Sequence, residues 1–109
     1  MLAAILESGE PTRLYTGLSL LVSTAVEGEP ARGLVSFGAL RPLLAGRLEP
    51  AVAELRATVD ELPDLKLWAC AAAVDREQAD RAEVERHLDG VMSTPRFLRE
   101  TAGARLVVV

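Results

Sequence analysis

The chain has 109 residues, which is enough for one domain and too few for two, so we expect a single domain over residues 1–109. Half of the residues are hydrophobic and the net charge is -4, with basic residues scattered among acids, which argues against nucleic-acid binding. No basic leader segment and no apolar run near the roughly 18 residues of a membrane span occur, and one cysteine excludes an internal disulfide. We therefore expect a cytoplasmic protein without membrane contact.

Apolar runs bounded by turn residues predict the strands of the chain. In chain order these runs are residues 2–6, 31–37, 65–69, the very short 91–92, and 106–109. The first run is apolar throughout, which is typical of a strand covered on both faces.

Segments with apolar residues every three or four positions lie between these runs and predict helices. In chain order they are residues 12–28, a short helical turn at 40–46, 49–62, a charged segment at 76–88, and 94–103. We expect Thr12, Asp75, and either Ser93 or Thr94 to cap helices, because their short side chains can accept hydrogen bonds from free backbone amides. In the last helix, Phe97 and Leu98 are expected to face inward.

The alternation of strands and helices predicts the fold class. We expect an α/β protein, a single three-layer domain with a four- to five-stranded, mainly parallel sheet and helices on both faces. A few apolar residues lie in the short segments 40–46 and 91–92, and they either cover the ends of the sheet or contact another subunit. These residues are Leu40, Leu43, Leu44 and Met92.

Cys70, the only cysteine, directly follows the third predicted strand. If that strand is parallel to its neighbours, Cys70 lies at the carboxyl edge of the sheet, where open α/β sheets place their sites. Helix starts at the same edge would favour an anion such as a thiolate or persulfide. We therefore expect the Cys70 sulfur to open into a cleft. The alternative is that Cys70 packs in the core like its alanine neighbours.

Other polar residues at this predicted edge are candidates for anion or substrate binding. They are Ser8 and Gly9 after the first strand, Thr12 at the first helix start, and Ser93 and Thr94 at the last helix start. A plain turn and ordinary helix caps explain the same residues. His87 lies on the charged helix, where a surface imidazole is favoured over proton transfer. One Cys and one His do not form a metal site, and no glycine-rich nucleotide motif occurs, so neither metal nor cofactor is predicted.

Four segments occur in an order and spacing that cover almost the whole chain. They are the turn at residues 7–11 with the helix start at 13–18, the strand end at 35–40, Leu67-Trp68-Ala69-Cys70, and residues 89–98 before the final valine-rich strand. Together they resemble the DsrE/DsrF-like family of small sulfur-relay proteins. The resemblance implies a small α/β fold and assembly into a trimer or hexamer.

The resemblance also implies a chemistry, in which Cys70 matches the position that carries sulfur as a persulfide. The partner would then be a sulfur donor or acceptor protein, and any enzymatic activity would be that of a sulfur carrier or transferase. The chain departs from the family at residues 71–73, which are alanines where many members have a hydroxyl residue. We therefore predict sulfur relay, with Cys70 carrying the sulfur as a persulfide. The alternative is a non-catalytic oligomeric binding or scaffold module in which Cys70 is a packing residue, and a less favoured third hypothesis is a binder of small anions at the helix starts.

Overall fold

The computed structural model describes all residues, Met1–Val109, and contains five strands and six helices. The strands are β1 (Leu2–Leu6), β2 (Ala31–Val35), β3 (Leu65–Cys70), β4 (Val91–Met92) and β5 (Arg105–Val108). The helices are α1 (Pro11–Val26), α2 (Phe37–Ala45), α3 (Pro50–Val59), α4 (Ala71–Glu77), α5 (Arg81–His87) and α6 (Thr94–Glu100). All five predicted strands are present, including the two-residue β4.

The sheet is entirely parallel, with the strand order β4-β3-β2-β1-β5. The chain moves one strand at a time from β1 to β4 and then returns past β1 to add β5 on its other side. Connections between parallel strands are right-handed, so this reversal places α6 on the face opposite the earlier helices. The predicted three-layer α/β domain with helices on both faces is confirmed.

The two faces of the sheet have different cover. On one face, a Cβ added at Gly33 would lie 2.5 Å from Leu67 Cδ2 and 3.1 Å from Leu21 Cδ1 of α1, so α1 packs directly on the strands there. On the other face, Trp68 packs edge-on against Phe97 of α6, with ring centroids 6.4 Å apart. The seven-residue α6 is the cover of this second face. Part of that face therefore stays open to solvent.

The start of α1 differs from the sequence prediction. Glu10 is the N-cap residue, because its carboxylate accepts hydrogen bonds from the backbone amides of Thr12 and Arg13, each at 3.1 Å. Thr12 itself is inside the helix. The glutamate side chain is longer than those of the usual capping residues, so the sequence pattern does not point to Glu10.

The predicted charged helix at residues 76–88 is two helices. They are separated at Gln78, which has left-handed backbone angles with φ of 51°, and Asp80 caps the second by accepting a hydrogen bond from Ala82 N. The first, α4, begins immediately after Cys70, so Asp75 lies within α4 and does not cap it. The second strand was predicted over residues 31–37, and in the structure it ends at Val35 because α2 begins at Phe37.

The apolar residues noted in the two short segments 40–46 and 91–92 are buried within the chain. Leu40, Leu43 and Leu44 belong to α2, Met92 belongs to β4, and all four are part of the hydrophobic core. Their burial therefore needs no other subunit. Leu98 is the reverse case: it was expected to face inward and is 46% exposed.

Phe97 and Leu98 form a matched pair for measuring how α6 is attached. Phe97 is fully buried, so Phe97→Ala leaves a cavity and is expected to lower the free energy of unfolding by about 3–5 kcal/mol. Leu98→Ala removes an exposed side chain and should change it by no more than about 0.5 kcal/mol. Urea denaturation of both variants measures the difference. Equal losses would contradict the attachment of α6 through Phe97.

Candidate functional site

Cys70 lies at the carboxyl edge of the sheet, as predicted. It is the last residue of β3, pairs in register with Met92 of β4, and is the N-cap residue of α4 without a side-chain capping bond. Side chains alternate along a strand, so Cys70 shares a face with Lys66 and Trp68. That is the face covered by α6, because Trp68 contacts Phe97 there.

The Cys70 sulfur does not open into a cleft, so that sequence-based expectation is wrong. Cys70 is 2% exposed and lines none of the surface clefts of the chain. Its Sγ lies 3.7 Å from Oγ1 of Thr94, the first residue of α6. The packing of α6 against the sheet thus covers the thiol and supplies one hydroxyl contact.

Ser8, Gly9 and Thr12 lie in and after a tightly packed turn at the end of β1. Ser8 Oγ accepts a hydrogen bond from Glu10 N at 3.1 Å, and a Cβ added at Gly9 would lie 2.3 Å from the Gly38 carbonyl oxygen. The Glu10 carboxylate already accepts from the amide of Thr12. The negative charge that the start of α1 favours is therefore supplied by the chain itself.

Ser93 and Thr94 have different partners at the start of α6. Ser93 is the N-cap and accepts a hydrogen bond from Arg96 N at 3.3 Å, whereas Thr94 contacts Cys70. The structure thus brings Thr94 to Cys70. The turn at Ser8 follows β1, which is separated from β3 by β2, a distance of about 10 Å at two strand spacings. The candidate residues therefore form two separate groups.

His87 lies at the opposite, amino edge of the sheet. It lines a cleft of 300 Å³ together with Arg56, Asp60 and the beginning of β3, and its backbone carbonyl accepts a hydrogen bond from Arg56 Nη2. Cys70 is the last residue of that strand, so β3 runs its full length between the two groups. Proton transfer between His87 and Cys70 is excluded by this placement.

A shallow cleft of 480 Å³, absent from the sequence-based predictions, lies on the face covered by α6. Arg32, Lys66 and Trp68 form its floor, with Asp89 and Glu100 at its sides. A signal was available: Arg32 and Lys66 are both the second residue of an otherwise mostly apolar strand. Their proximity depends on the strand register, which places them directly opposite one another.

Two negative findings concern the rest of the molecule. No group of three or more His, Cys, Asp or Glu side chains is arranged to bind a metal ion. None of the six helices has the length and apolar content needed to cross a bilayer.

The comparisons with known proteins agree with the architecture. No protein-family model and no curated protein matches the sequence. Among solved structures, the chain is similar to that in the crystal structure of ychN protein from E. coli, with a TM-score of 0.66 and 14% sequence identity, over 99% of this chain and 97% of that one. At this identity the likeness shows a shared small α/β fold, which is consistent with the resemblance to DsrE-like proteins, and shows no chemistry.

The Glu10 cap predicts a pH-dependent stability. Hydrogen bonds from the Thr12 and Arg13 amides hold the pKa of the Glu10 carboxyl below its ordinary value of 4.5. A lowered carboxyl pKa contributes stability that is present above the unfolded-state pKa and is lost as the pH falls through the folded-state pKa. Glu10→Gln should therefore be less stable than the parent chain at pH 7 and equal to it well below pH 4.5.

Urea denaturation at the two pH values measures this effect. Glu7→Gln is the control, because Glu7 is exposed, lies outside the helix and makes no side-chain hydrogen bond that caps it. A stability difference for Glu10→Gln that is the same at both pH values would contradict the role of the charge.

Proposed function

We propose that the chain is a non-catalytic, self-associating binding module of DsrE-like fold, in which Cys70 is a packing residue. The observation that supports this proposal is the 2% exposure of Cys70 with no cleft beside it. Sulfur transfer between proteins requires that the sulfur of one chain reaches the thiol of the other. A thiol covered by α6 does not offer that contact.

The space around Cys70 gives a second argument for packing. A persulfide adds one sulfur atom to the side chain, and an extra atom of that size in a well-packed interior costs about 1–3 kcal/mol. Thr94 Oγ1 is already at 3.7 Å from Cys70 Sγ, and Ala73 of the following helix is fully buried. The added sulfur of a persulfide would therefore compete with Thr94 for the space beside Cys70.

Self-association is proposed through an apolar surface that we name the β5–α6 surface, formed by Leu98, Leu106 and Val108. Leu106 and Val108 pair with Ala3 and Ile5 of β1 and are 48% and 60% exposed. Leu98 lies on α6, on the same side of the sheet. Exposed apolar residues on one side of a small domain favour association with another copy. A trimer or hexamer, as the family resemblance implies, would bury them.

Sulfur carriage by Cys70 is the second candidate, favoured by the hydroxyl contact with Thr94. In this mechanism α6 moves away, and the Cys70 thiolate attacks the outer sulfur of a persulfide on a donor protein. The donor's sulfur–sulfur bond breaks, the donor leaves as a thiolate, and Cys70 holds the transferred sulfur. The Thr94 hydroxyl would donate a hydrogen bond to the thiolate while α6 is still in place, and so favour its formation before α6 moves. This candidate retains the predicted cytoplasmic location, where thiols stay reduced.

Thiol reactivity decides between the two candidates. If the chain is a binding module, alkylation of Cys70 should be at least about 100-fold slower in the folded protein than in urea. A local opening of α6 that costs about 3 kcal/mol would expose the thiol in about 1% of molecules or fewer. Treatment with a persulfide donor should add no sulfur to the folded chain in intact-mass spectrometry.

The opposite result would support sulfur carriage. In that result the folded chain gains one sulfur atom, and Cys70→Ala does not. The gain should be smaller in Thr94→Val, because this substitution keeps the shape of the side chain and removes the hydroxyl. Cys70→Ala also serves as the control for labelling at other sites, since the chain has one cysteine.

Self-association can be tested with a matched pair of charge substitutions. Leu106→Glu places a carboxylate in the β5–α6 surface and should convert the assembly to a monomer, because burying an unpaired charge is costly. Leu20→Glu is the control: Leu20 is 40% exposed on α1, on the opposite side of the sheet. Sedimentation equilibrium measures the mass. A monomeric parent chain, or dissociation by both substitutions, would overturn the proposed surface.

A further inference from the structure

Two positive charges lie side by side on the floor of the 480 Å³ cleft. Arg32 of β2 and Lys66 of β3 are register partners on adjacent parallel strands, and strands are about 4.8 Å apart. Both side chains are half-buried and lie on the face covered by α6. Like charges on directly opposed strand positions destabilise a sheet.

No carboxylate of the chain neutralises this pair. The four ion pairs of the structure involve other residues. Arg32 Nη1 donates hydrogen bonds to the backbone carbonyls of Ala31 and Asp64, at 3.0 and 2.6 Å, which fixes the guanidinium but does not balance its charge. Lys66 makes no side-chain hydrogen bond.

The two acids at the sides of the cleft have other partners. Asp89 Oδ2 accepts a hydrogen bond from Leu67 N at 2.8 Å, and Glu100 Oε1 lies 3.7 Å from Arg96 Nε. The floor of the cleft thus carries two cations that form no ion pair, whereas the two acids at its sides keep their negative charge and contact other groups. An anion that reaches the floor would meet two unpaired cations there.

Trp68 adds a flat apolar surface to the same cleft. It lies two residues after Lys66 on the same strand and face, and its ring is only partly covered by Phe97. A cleft of 480 Å³ is within the range of sites for small molecules. We propose that this cleft binds a small anion that carries a planar ring, with a phosphate or carboxylate on Arg32 and Lys66 and the ring on Trp68.

This inference names the ligand of the proposed binding module and rests on that function, but it requires neither a reactive Cys70 nor self-association. The cleft lies over β2 and β3, whereas Leu106 lies on the edge strand β5, with β1 between β5 and β2. Binding can therefore be measured in the Leu106→Glu variant as well as in the parent chain. Failure of assembly and failure of ligand binding are then separate results.

Trp68 is the only tryptophan of the chain, so its fluorescence reports directly on the site. We expect adenosine 5′-monophosphate to change this fluorescence saturably, and adenosine and inorganic phosphate to bind at least about tenfold more weakly, because each supplies only one of the two contacts. A tenfold loss corresponds to about 1.4 kcal/mol, the magnitude of one lost charged hydrogen bond. Binding of the nucleotide should weaken as salt is added.

Lys66→Glu tests the cation pair without removing a structural contact. It should weaken nucleotide binding at least about tenfold, because a carboxylate replaces one of the two cations. The urea midpoint of unfolding should change little, because the new carboxylate has Arg32 on one side and Asp89 and Glu100 on the other. A residue needed only for folding would not show loss of binding with an unchanged midpoint. Arg81→Ala, which removes an exposed arginine on α5, is the control and should change neither quantity.

Three results would overturn the proposal. The first is no saturable fluorescence change with adenosine 5′-monophosphate up to millimolar concentration. The second is that adenosine, or inorganic phosphate, binds as tightly as the nucleotide. The third is an unchanged affinity for the nucleotide in Lys66→Glu. Saturable binding of the nucleotide that is lost in Lys66→Glu and retained in Arg81→Ala and Leu106→Glu would support it.

Discussion

The contact between Phe97 and Trp68 determines which parts of the second sheet face are covered and which are open to solvent. It joins a two-turn helix to the central strands, with the Phe97 ring fully buried and the Trp68 ring partly open. Because α6 is short, it covers the carboxyl end of β3 and leaves the amino half of β2 and β3 uncovered. The same helix also leaves β5 exposed at the edge. A buried thiol, an open cleft and an apolar edge surface all follow from the placement of this one helix.

The alternation of side chains along β3 places these features on one face of the strand. Lys66, Trp68 and Cys70 all point to that face, but their surroundings differ. Lys66 lies in the open cleft, Trp68 packs against Phe97, and Cys70 lies beneath Thr94. A residue's position on a strand therefore says which face it occupies but not how accessible it is. For Cys70 the difference matters, since sulfur carriage depends on access and packing does not. The burial of Cys70 is the reason that we favour a binding module.

The candidate site was partly predictable. The place of Cys70 at the end of a strand follows from a local apolar run, whereas its burial depends on α6, which is more than twenty residues away in the chain. The cap of α1 was assigned to Thr12 because short side chains usually cap helices, and the longer Glu10 side chain takes that role here. The pairing of Arg32 with Lys66 needed the register of two strands, which no pattern within either strand contains.

For the fold, local patterns were sufficient to predict five strands and a three-layer α/β domain, because an apolar run or a helical stripe is a property of neighbouring residues. Contacts between distant residues decided the rest. The return of the chain past β1 placed β5 at the edge and α6 on the second face, and the left-handed Gln78 divided one charged segment into two helices. The burial of a residue and the pairing of its charge depend on all of its contacts with distant residues. Only the folded chain therefore shows that Cys70 is buried and that Lys66 forms no ion pair.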